Sequence, residues 1–529
     1  MPELRAATAT GLKVGVLTLG CDKNTVDSER VLAGLQGSGV DVAARARDAD
    51  VLVINTCGFI DLAKQESIDT ILEAVRLKEE GELKAVVAMG CLVQRYKAEL
   101  AAEIPEVDLF LGLAEVDRLV PELEARGLVE AREAPLMERP LRLVTSETPH
   151  TAHLKISEGC DHGCAFCAIP LMRGKFRSTP VEMLVREAQE LEAAGAVELN
   201  IVSQDTTWYG RDWARRRPAA FGPDGGTGGV GDGETSSSFF VGRTFEGMAG
   251  LELFQAAEQA VARPGLTALA REPSGPVRTE HDLAGLDRTG ALPQLLRALL
   301  DETGIPWIRL FYMYPSGITD GLVRMLAEED RLLPYLDMPI QHGSDRMLKR
   351  MRRPERRETI LDRVARLRDR VPGLALRTTV IVGFPGETDE DVDALIDLLE
   401  TVRFDHMGAF AYSEEEGTPA VDMPDPVPEE VRRERLERVL DVQRSIAQER
   451  NEARLGHTVP VLVDAVDREA GMATGRAPWQ AVEVDGVVAL PAVRGVEPGR
   501  FVEVRLTSVA ERDFEGDVET IDERDGTQP

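Results

Sequence analysis

All six cysteines of this 529-residue chain lie in its first third, and no cysteine follows Cys167. Three of them each follow directly after a short apolar segment that predicts a buried strand: Cys21 after 13–20, Cys57 after 51–56 and Cys91 after 85–90. Helix-like segments separate these strands, a pattern that predicts βαβ units and a parallel sheet. Because parallel strands end at one edge of a sheet, we expect the three thiols to converge there. Ordinary buried cysteines are the alternative, which the threefold repetition disfavours.

The other three cysteines form the compact motif Cys160-Asp-His-Gly-Cys164-Ala-Phe-Cys167. Three thiolates at this spacing can bind three irons of a cubane cluster and leave the fourth iron open. An open metal position is a place where a substrate can bind. A zinc site with His162 as the fourth ligand is the alternative.

The remaining sequence predicts two further folding units, so that the fold class is α/β with a small all-β unit at the end. From 151 to about 420, six strand candidates alternate with helix candidates and predict a partial β/α barrel: 152–157, 197–203, 307–312, 335–340, 375–382 and 407–412. A long charged helix is expected over 428–455, packed on this barrel. Strands at 458–465, 482–490 and 500–509 predict a small antiparallel β-barrel.

A long insertion at 211–288 interrupts the barrel pattern. Its glycine-rich part, 222–237, has too little apolar surface to offset the entropy of ordering, so we expect a disordered surface loop. A short helix over 249–263 is also predicted. Because the insertion follows a strand's carboxyl end, a second hypothesis is that it gates or contacts the substrate.

The charge of the chain narrows its partners. The chain has 62 Lys and Arg against 92 Asp and Glu, a net charge of −30, which disfavours non-specific nucleic-acid binding and favours a basic partner. No apolar run reaches the roughly 18 residues that cross a bilayer, and the first residues do not resemble a secretory signal. We therefore expect a cytoplasmic protein without membrane contact.

The motif after the first barrel strand, with Phe166 before its last cysteine, resembles the radical S-adenosylmethionine superfamily. The chain as a whole is similar to the methylthiotransferases within it, which have an N-terminal three-cysteine domain, a radical core and a C-terminal TRAM domain. Leu-Gly-Cys21-Asp-Lys-Asn and the segment Leu-Lys-Ile-Ser-Glu-Gly-Cys160-Asp-His resemble the RimO-type branch. The branch that modifies transfer RNA has Tyr-Gly-Cys-Gln-Met-Asn at the first site, which this sequence lacks. The implied domains are 12–127, 146–452 and 454–522.

The resemblance implies an enzyme that adds a methylthio group to the β-carbon of an aspartate in small-subunit ribosomal protein twelve, free or in the ribosome. It implies two 4Fe–4S clusters. Cys160, Cys164 and Cys167 would hold the radical-generating cluster, and a second cluster, which carries the sulfur, would bind Cys21, Cys57 and Cys91. S-adenosylmethionine would supply both the methyl group and the radical, and an electron donor would be needed.

Further residues are expected around S-adenosylmethionine because barrel chemistry lies at the carboxyl ends of the strands. The predicted cofactor-binding residues are Phe166, Ser203, Gln204, Asp205, Gln341 and Gly383. His342 fits a pocket role or a structural role equally. Arg173 and Lys175 could orient a carboxylate or be solvated surface charges. No residue beyond the cluster ligands is assigned a catalytic role.

Two other functions remain open: a transfer RNA adenosine methylthiotransferase, and a non-catalytic iron–sulfur scaffold or redox sensor. Residues 454–529 contain 8 Arg and no Lys against 15 Asp and Glu, a balance of −7. A module that grips RNA should have a basic face. The acidic balance therefore favours a basic protein substrate over RNA, although RNA contact is not excluded by it.

Overall fold

The N-terminal unit is a four-stranded parallel sheet in the order β1-β2-β3-β4. The structure is a computed structural model that describes residues 11–130, 141–144, 148–215 and 291–521. Every residue of β2 and β3 is buried, because helices cover both faces of the sheet, and this explains their unbroken apolar sequences. The three predicted strands are confirmed, whereas the short β4 was not predicted. The elements are β1 (Val14–Thr18), α1 (Asp22–Gly37), β2 (Val51–Thr56), α2 (Asp61–Glu79), β3 (Ala85–Gly90), α3 (Cys91–Glu103), β4 (Leu109–Leu111) and α4 (Leu119–Ala125).

The second unit is a six-stranded parallel sheet in the order β5-β8-β9-β10-β11-β12, with β6 and β7 forming a separate two-stranded antiparallel sheet. Its largest apolar core lies between the strands and the surrounding helices. The six predicted strands are present; 375–382 matches β11 at both ends, and the ends of the other strands are shifted by at most three residues. The strands are β5 (Thr151–Lys155), β6 (Ser157–Glu158), β7 (Arg177–Ser178), β8 (Glu198–Val202), β9 (Trp307–Leu310), β10 (Leu332–Asp337), β11 (Ala375–Val382) and β12 (His406–Ala411).

The helices of this unit alternate with its strands. They are α5 (Ile169–Arg173), α6 (Val181–Ala193), α7 (Arg211–Arg215), α8 (Ala291–Glu302), α9 (Asp320–Glu328), α10 (Asp345–Arg350), α11 (Arg357–Arg370), α12 (Asp389–Val402) and α13 (Glu429–Glu452). The last is the predicted charged helix, and Val439 and Ile446 place it on the barrel core. Of the predicted insertion only 211–215 lies within the described residues; the helix expected at 249–263 lies outside them. No helix of the described residues is long and apolar enough to cross a membrane.

The C-terminal unit is a closed barrel of five strands in the order β13-β14-β15-β17-β16. A small β-barrel is therefore confirmed, but the expectation of three strands is wrong. The segment 482–487 belongs to a turn, because the Asp485 carboxylate accepts a hydrogen bond from the Ala481 backbone N–H (3.0 Å). The strands are β13 (Thr458–Asp467), β14 (Met472–Arg476), β15 (Val488–Pro491), β16 (Phe501–Ala510) and β17 (Asp513–Ile521).

Buried ion pairs join this C-terminal barrel to the six-stranded sheet. Arg476 pairs with Glu198 of β8, whose carboxylate also accepts from Arg309 of β9 (2.9 Å). Asp485 accepts from the hydroxyl of Tyr335 (2.6 Å) and from Arg377 (2.6 Å). All six side chains are buried or nearly so, so that removing one partner would leave an uncompensated charge or an unpaired polar group in the interior.

A second buried network joins α1 of the N-terminal sheet to the barrel. Asp27 pairs with Lys155 of β5 and with Arg173 of α5, and Arg30 donates to Glu187 of α6 (2.5 Å). Arg142 pairs with both Glu29 and Glu187. Because these charges are desolvated and mutually paired, the two units are held in one fixed arrangement.

Candidate functional site

The motif cysteines Cys160, Cys164 and Cys167 lie together on the loop between β6 and α5. All three are free thiols. Burial, together with the neighbouring Cys164, raises the pKa of Cys160 and Cys167 to about 12. Metal binding requires thiolates, so that loading this loop must displace protons.

A tyrosine and an arginine from distant parts of the barrel contact this loop. The Tyr314 hydroxyl lies 3.5 Å from the Cys164 Sγ, and the Arg353 Nη1 lies 3.8 Å from the same sulfur. The Arg353 guanidinium also lies over the Tyr314 ring, 3.9 Å from its centroid. A buried cation beside a thiol favours the thiolate that a metal needs.

His162, inside the motif, is held as a structural element. Its Nε2 lies 2.7 Å from the Asp205 Oδ2. Its ring lies between Trp208 and Tyr314, with centroid distances of 3.9 and 4.0 Å. A cavity of about 580 Å³ lies beside these rings and is also lined by Arg353. The fixed ring and its Asp205 contact disfavour the alternative in which His162 ligates zinc.

The structure brings Cys21, Cys57 and Cys91 to one edge of the N-terminal sheet, as their positions after β1, β2 and β3 predict. The three thiols are close enough to influence one another: burial, Cys21 and Cys91 all raise the pKa of Cys57. Burial raises the pKa of Cys91 to about 11. Cys21 directly precedes α1 and Cys91 begins α3, so that two of these sulfurs lie at helix N-termini, where negative charge is favoured.

Gly20 allows the loops that carry Cys21 and Cys57 to approach each other. Its φ is +97°, and a Cβ at this position would lie 2.9 Å from the Cys57 Sγ. Any other residue would therefore force Cys57 away from Cys21.

Both cysteine sets fit a cubane cluster better than a single ion. Within the described ranges, no group of three or more His, Cys, Asp or Glu side chains is arranged to hold one metal ion. In a cubane each thiolate binds a different iron, so that its ligands stand farther apart than those around one zinc. The donor set of each site, three thiols from backbones that converge, is the one that such a cluster uses.

The predicted residues after β8 differ in what they do. Ser203 accepts a hydrogen bond from the Asp205 backbone N–H (2.9 Å), and the Asp205 carboxylate is occupied by His162 and Thr207. Gln204 is different, because its side-chain oxygen and nitrogen are both buried and have no partner among the described residues. Buried amide groups are normally bonded, so that Gln204 is the residue here that calls for a polar ligand. Phe166 packs against the apolar cluster that contains Met347 and Phe384.

The residues predicted after β10 and β11 are held by the protein itself. His342 is fully buried; its Nδ1 accepts from the backbone N–H groups of Gly343 and Ser344, and its Nε2 lies 3.2 Å from Glu387. Both ring nitrogens are thus occupied, which favours the structural role. The Gln341 backbone has a φ of +69°. Its N–H donates to the Thr379 carbonyl and its carbonyl accepts from the Ile381 N–H, both in β11.

Gly383 has a packing role that the sequence did not predict. A Cβ at this position would lie 2.4 Å from the Arg432 Cγ of α13, so that only glycine permits this helix to pack here. Its part in binding S-adenosylmethionine stays a prediction.

Arg173 and Lys175, the two basic residues after the motif, differ in their exposure to solvent. The Arg173 side chain is 4% exposed and bonds to Asn24, Asp27 and Glu158, whereas Lys175 is exposed. The alternative that Arg173 is a solvated surface charge is therefore wrong.

Sequence reasoning missed Tyr314 and Arg353. Tyr314 follows β9 at the carboxyl edge of the sheet, a position that could have predicted it. Nothing in the local sequence of Arg353 indicates its contact with Cys164.

Three family models match the chain: Uncharacterized protein family UPF0004 over residues 13–112, the Radical SAM superfamily over 154–220 and 281–399, and the TRAM domain over 455–518. The partial barrel and its three-cysteine loop, with this superfamily match, define a radical S-adenosylmethionine enzyme.

Curated relatives identify the group within that class. The ribosomal protein uS12 methylthiotransferase RimO of Symbiobacterium thermophilum is 40% identical over 516 residues, which cover 96% of this chain and 91% of that protein. The protein of the same name from Desulforudis audaxviator is 40% identical over 511 residues, covering 96% and 97%. The chain therefore belongs to the RimO family of ribosomal protein uS12 methylthiotransferases. Among solved structures, the radical S-adenosylmethionine methyltransferase TsrM from Kitasatospora setae is similar with a TM-score of 0.47 and 12% identity, with 77% of each chain covered.

Proposed function

We propose that this enzyme attaches a methylthio group to the β-carbon of an aspartate in ribosomal protein uS12. The observation that carries the proposal is the presence of two separate three-cysteine sites, which one buried ion-pair network holds in a fixed arrangement. Inserting sulfur at an unactivated carbon needs a radical source and a sulfur carrier, and one chain with two such sites can supply both.

We infer two 4Fe–4S clusters, one on Cys160, Cys164 and Cys167 and one on Cys21, Cys57 and Cys91. When bound, the first cluster and S-adenosylmethionine supply a 5′-deoxyadenosyl radical, which takes a hydrogen atom from carbon. The chain's own residues prepare these sites: Tyr314 and Arg353 lie against Cys164, and the unpaired amide of Gln204 offers a donor and an acceptor to S-adenosylmethionine.

The charge of the chain supports a basic protein as substrate. With a net charge of −30, the enzyme attracts a basic ribosomal protein and repels RNA phosphates at long range. We propose 12–127, 146–452 and 454–522 as the limits of the three functional units, a cytoplasmic location, and an external electron donor.

The test is mass spectrometry of ribosomal proteins and of transfer RNA nucleosides from cells with and without the gene. We expect a methylthio increment on one aspartate of uS12 that disappears with the gene. If uS12 is unchanged and a methylthio nucleoside disappears from transfer RNA instead, the radical chemistry stands and the proposed substrate is wrong. Purified protein that forms no 5′-deoxyadenosine would instead indicate a non-catalytic scaffold.

We predict opposite effects of Gln204→Leu on ligand binding and on stability. Loss of the amide should raise the dissociation constant of S-adenosylmethionine about fivefold, since a hydrogen bond contributes roughly 1 kcal/mol. The protein without ligand should melt at a higher temperature, because two buried unpaired polar atoms are replaced by apolar ones. Calorimetric titration and thermal melting measure the two effects.

Gln480→Leu is the matched control for this prediction. Gln480 is also buried, but its amide oxygen accepts from the Ala477 N–H and its amide nitrogen donates to the Arg512 carbonyl. This variant should melt at a lower temperature and bind S-adenosylmethionine normally. Unchanged binding in Gln204→Leu would remove Gln204 from the pocket.

A further inference from the structure

Arg173 is close in sequence to the loop of Cys160, Cys164 and Cys167, but its side chain contacts the site formed by Cys21, Cys57 and Cys91. It ends α5, six residues after Cys167. Its guanidinium nevertheless reaches helix α1 of the N-terminal unit, where its Nη2 donates to the Asn24 Oδ1 (2.6 Å). The side chain is 4% exposed, so that its charge acts in a desolvated environment.

Asn24 connects that guanidinium to all three N-terminal cysteine loops, two through their backbone and the third through the Cys91 sulfur. Its Nδ2 donates to the carbonyls of Leu19 (2.8 Å) and Thr56 (3.2 Å), which lie just before Cys21 and Cys57. Its Oδ1 lies 3.6 Å from the Cys91 Sγ. A single amide thus touches the three loops, and Arg173 bonds to the same oxygen as Cys91.

Arg173 lies in a buried cluster of charged side chains. The carboxyl groups of Asp27 and Glu158 each accept hydrogen bonds from both Arg173 and Lys155. Arg30 lies beyond them, paired with Glu187. Removing the Arg173 guanidinium would therefore take one buried positive charge from beside the cysteine site.

We propose that Arg173 is a positioning residue that sets the reduction potential of the cluster on Cys21, Cys57 and Cys91. This inference rests on the proposed function, which supplies that second cluster. Thiolates and a reduced cluster are negatively charged. A buried cation that is separated from them only by the Asn24 side chain therefore stabilises the reduced form. Because Arg173 is attached to the radical-cluster loop, correct placement of that loop determines the electrostatic environment of the sulfur-carrying site.

The test uses the full-length protein with both clusters reconstituted, and redox titration followed by electron paramagnetic resonance. The radical cluster is recognised because added S-adenosylmethionine changes its signal. In Arg173→Gln we expect the reduced-to-oxidised ratio of the other cluster, at a fixed potential, to fall about tenfold, a shift of roughly 59 mV for one electron. Arg173→Lys, which keeps the charge, should restore most of the potential. Arg177→Gln, an exposed residue of the same segment, is the matched control and should leave it unchanged.

A second variant separates electrostatics from general damage. Glu158→Gln keeps Arg173 but removes one of its anions, so that the potential should rise, opposite to Arg173→Gln. A potential that stays constant in both variants, or that falls equally in Arg173→Lys and Arg173→Gln, overturns the inference. If Arg173→Gln does not fold, the direction of the shift in Glu158→Gln decides.

The same experiment distinguishes failure of the inference from failure of the proposed function. If the wild-type protein holds no cluster on Cys21, Cys57 and Cys91, both fail. If the cluster is present and its potential does not depend on Arg173, only the inference fails.

Discussion

Replacing Cys164 by alanine is expected to abolish cleavage of S-adenosylmethionine. Cys164 is one of only three thiols on the loop, and a cluster that already has one open iron tolerates no further loss of ligands. Formation of 5′-deoxyadenosine should fall to background, and methylthio transfer to uS12 should stop with it. Bound iron should fall from about eight to about four atoms per chain, since the other site is untouched. Chromatography of the nucleoside and iron analysis measure these effects.

Tyr314→Phe is the control for this variant, because it removes the hydroxyl that lies 3.5 Å from the Cys164 sulfur and leaves the thiol in place. Its iron content should equal that of the wild type. Substantial 5′-deoxyadenosine from Cys164→Ala would show that the loop is not the radical site.

Replacing Cys91 by alanine is expected to separate the two halves of the reaction. Cleavage of S-adenosylmethionine should continue, because Cys160, Cys164 and Cys167 are intact, while methylthio transfer to uS12 should fall to background. Cys91 is buried in the N-terminal core, and its replacement by a slightly smaller side chain should cost about 1 kcal/mol of stability, too little to unfold the unit. Nucleoside analysis and mass spectrometry of uS12, on one sample, measure both activities.

The two cysteine variants are controls for each other. Each should lose about half of the iron, but only Cys91→Ala should still produce 5′-deoxyadenosine. Methylthiolated uS12 from Cys91→Ala would mean that the N-terminal thiols carry no sulfur in the reaction.

The cysteine sites were predictable because their signal is local. A strand followed by a thiol fixes the sheet edge on which that thiol lies, and β2 and β3 match their predicted limits residue for residue. The strands of the C-terminal barrel were harder to predict from the sequence. β14 and β17 contain little of the alternation of apolar and polar residues that marks a strand with one buried face.

The contacts that prepare the site were not predictable, because they join residues far apart in sequence. Arg353 contacts a sulfur 189 residues away, and Arg173 bonds to Asn24 across 149 residues. No periodicity or motif reports such a pair. His342 shows a different limit, since its position after a strand fits a pocket role and a structural role equally, and only its hydrogen bonds favour the structural one.

The ion pairs between the C-terminal barrel and the six-stranded sheet limit how this enzyme can diversify. Arg476 pairs with Glu198 and Asp485 pairs with Arg377 in the interior, so that each unit completes the charge balance of the other. A gene fusion that exchanged the C-terminal barrel for a homologous one without these two residues would leave buried charges unmatched. The barrel and the sheet are therefore expected to be inherited as one piece, and new substrates are more readily acquired by changing exposed loops than by exchanging the module.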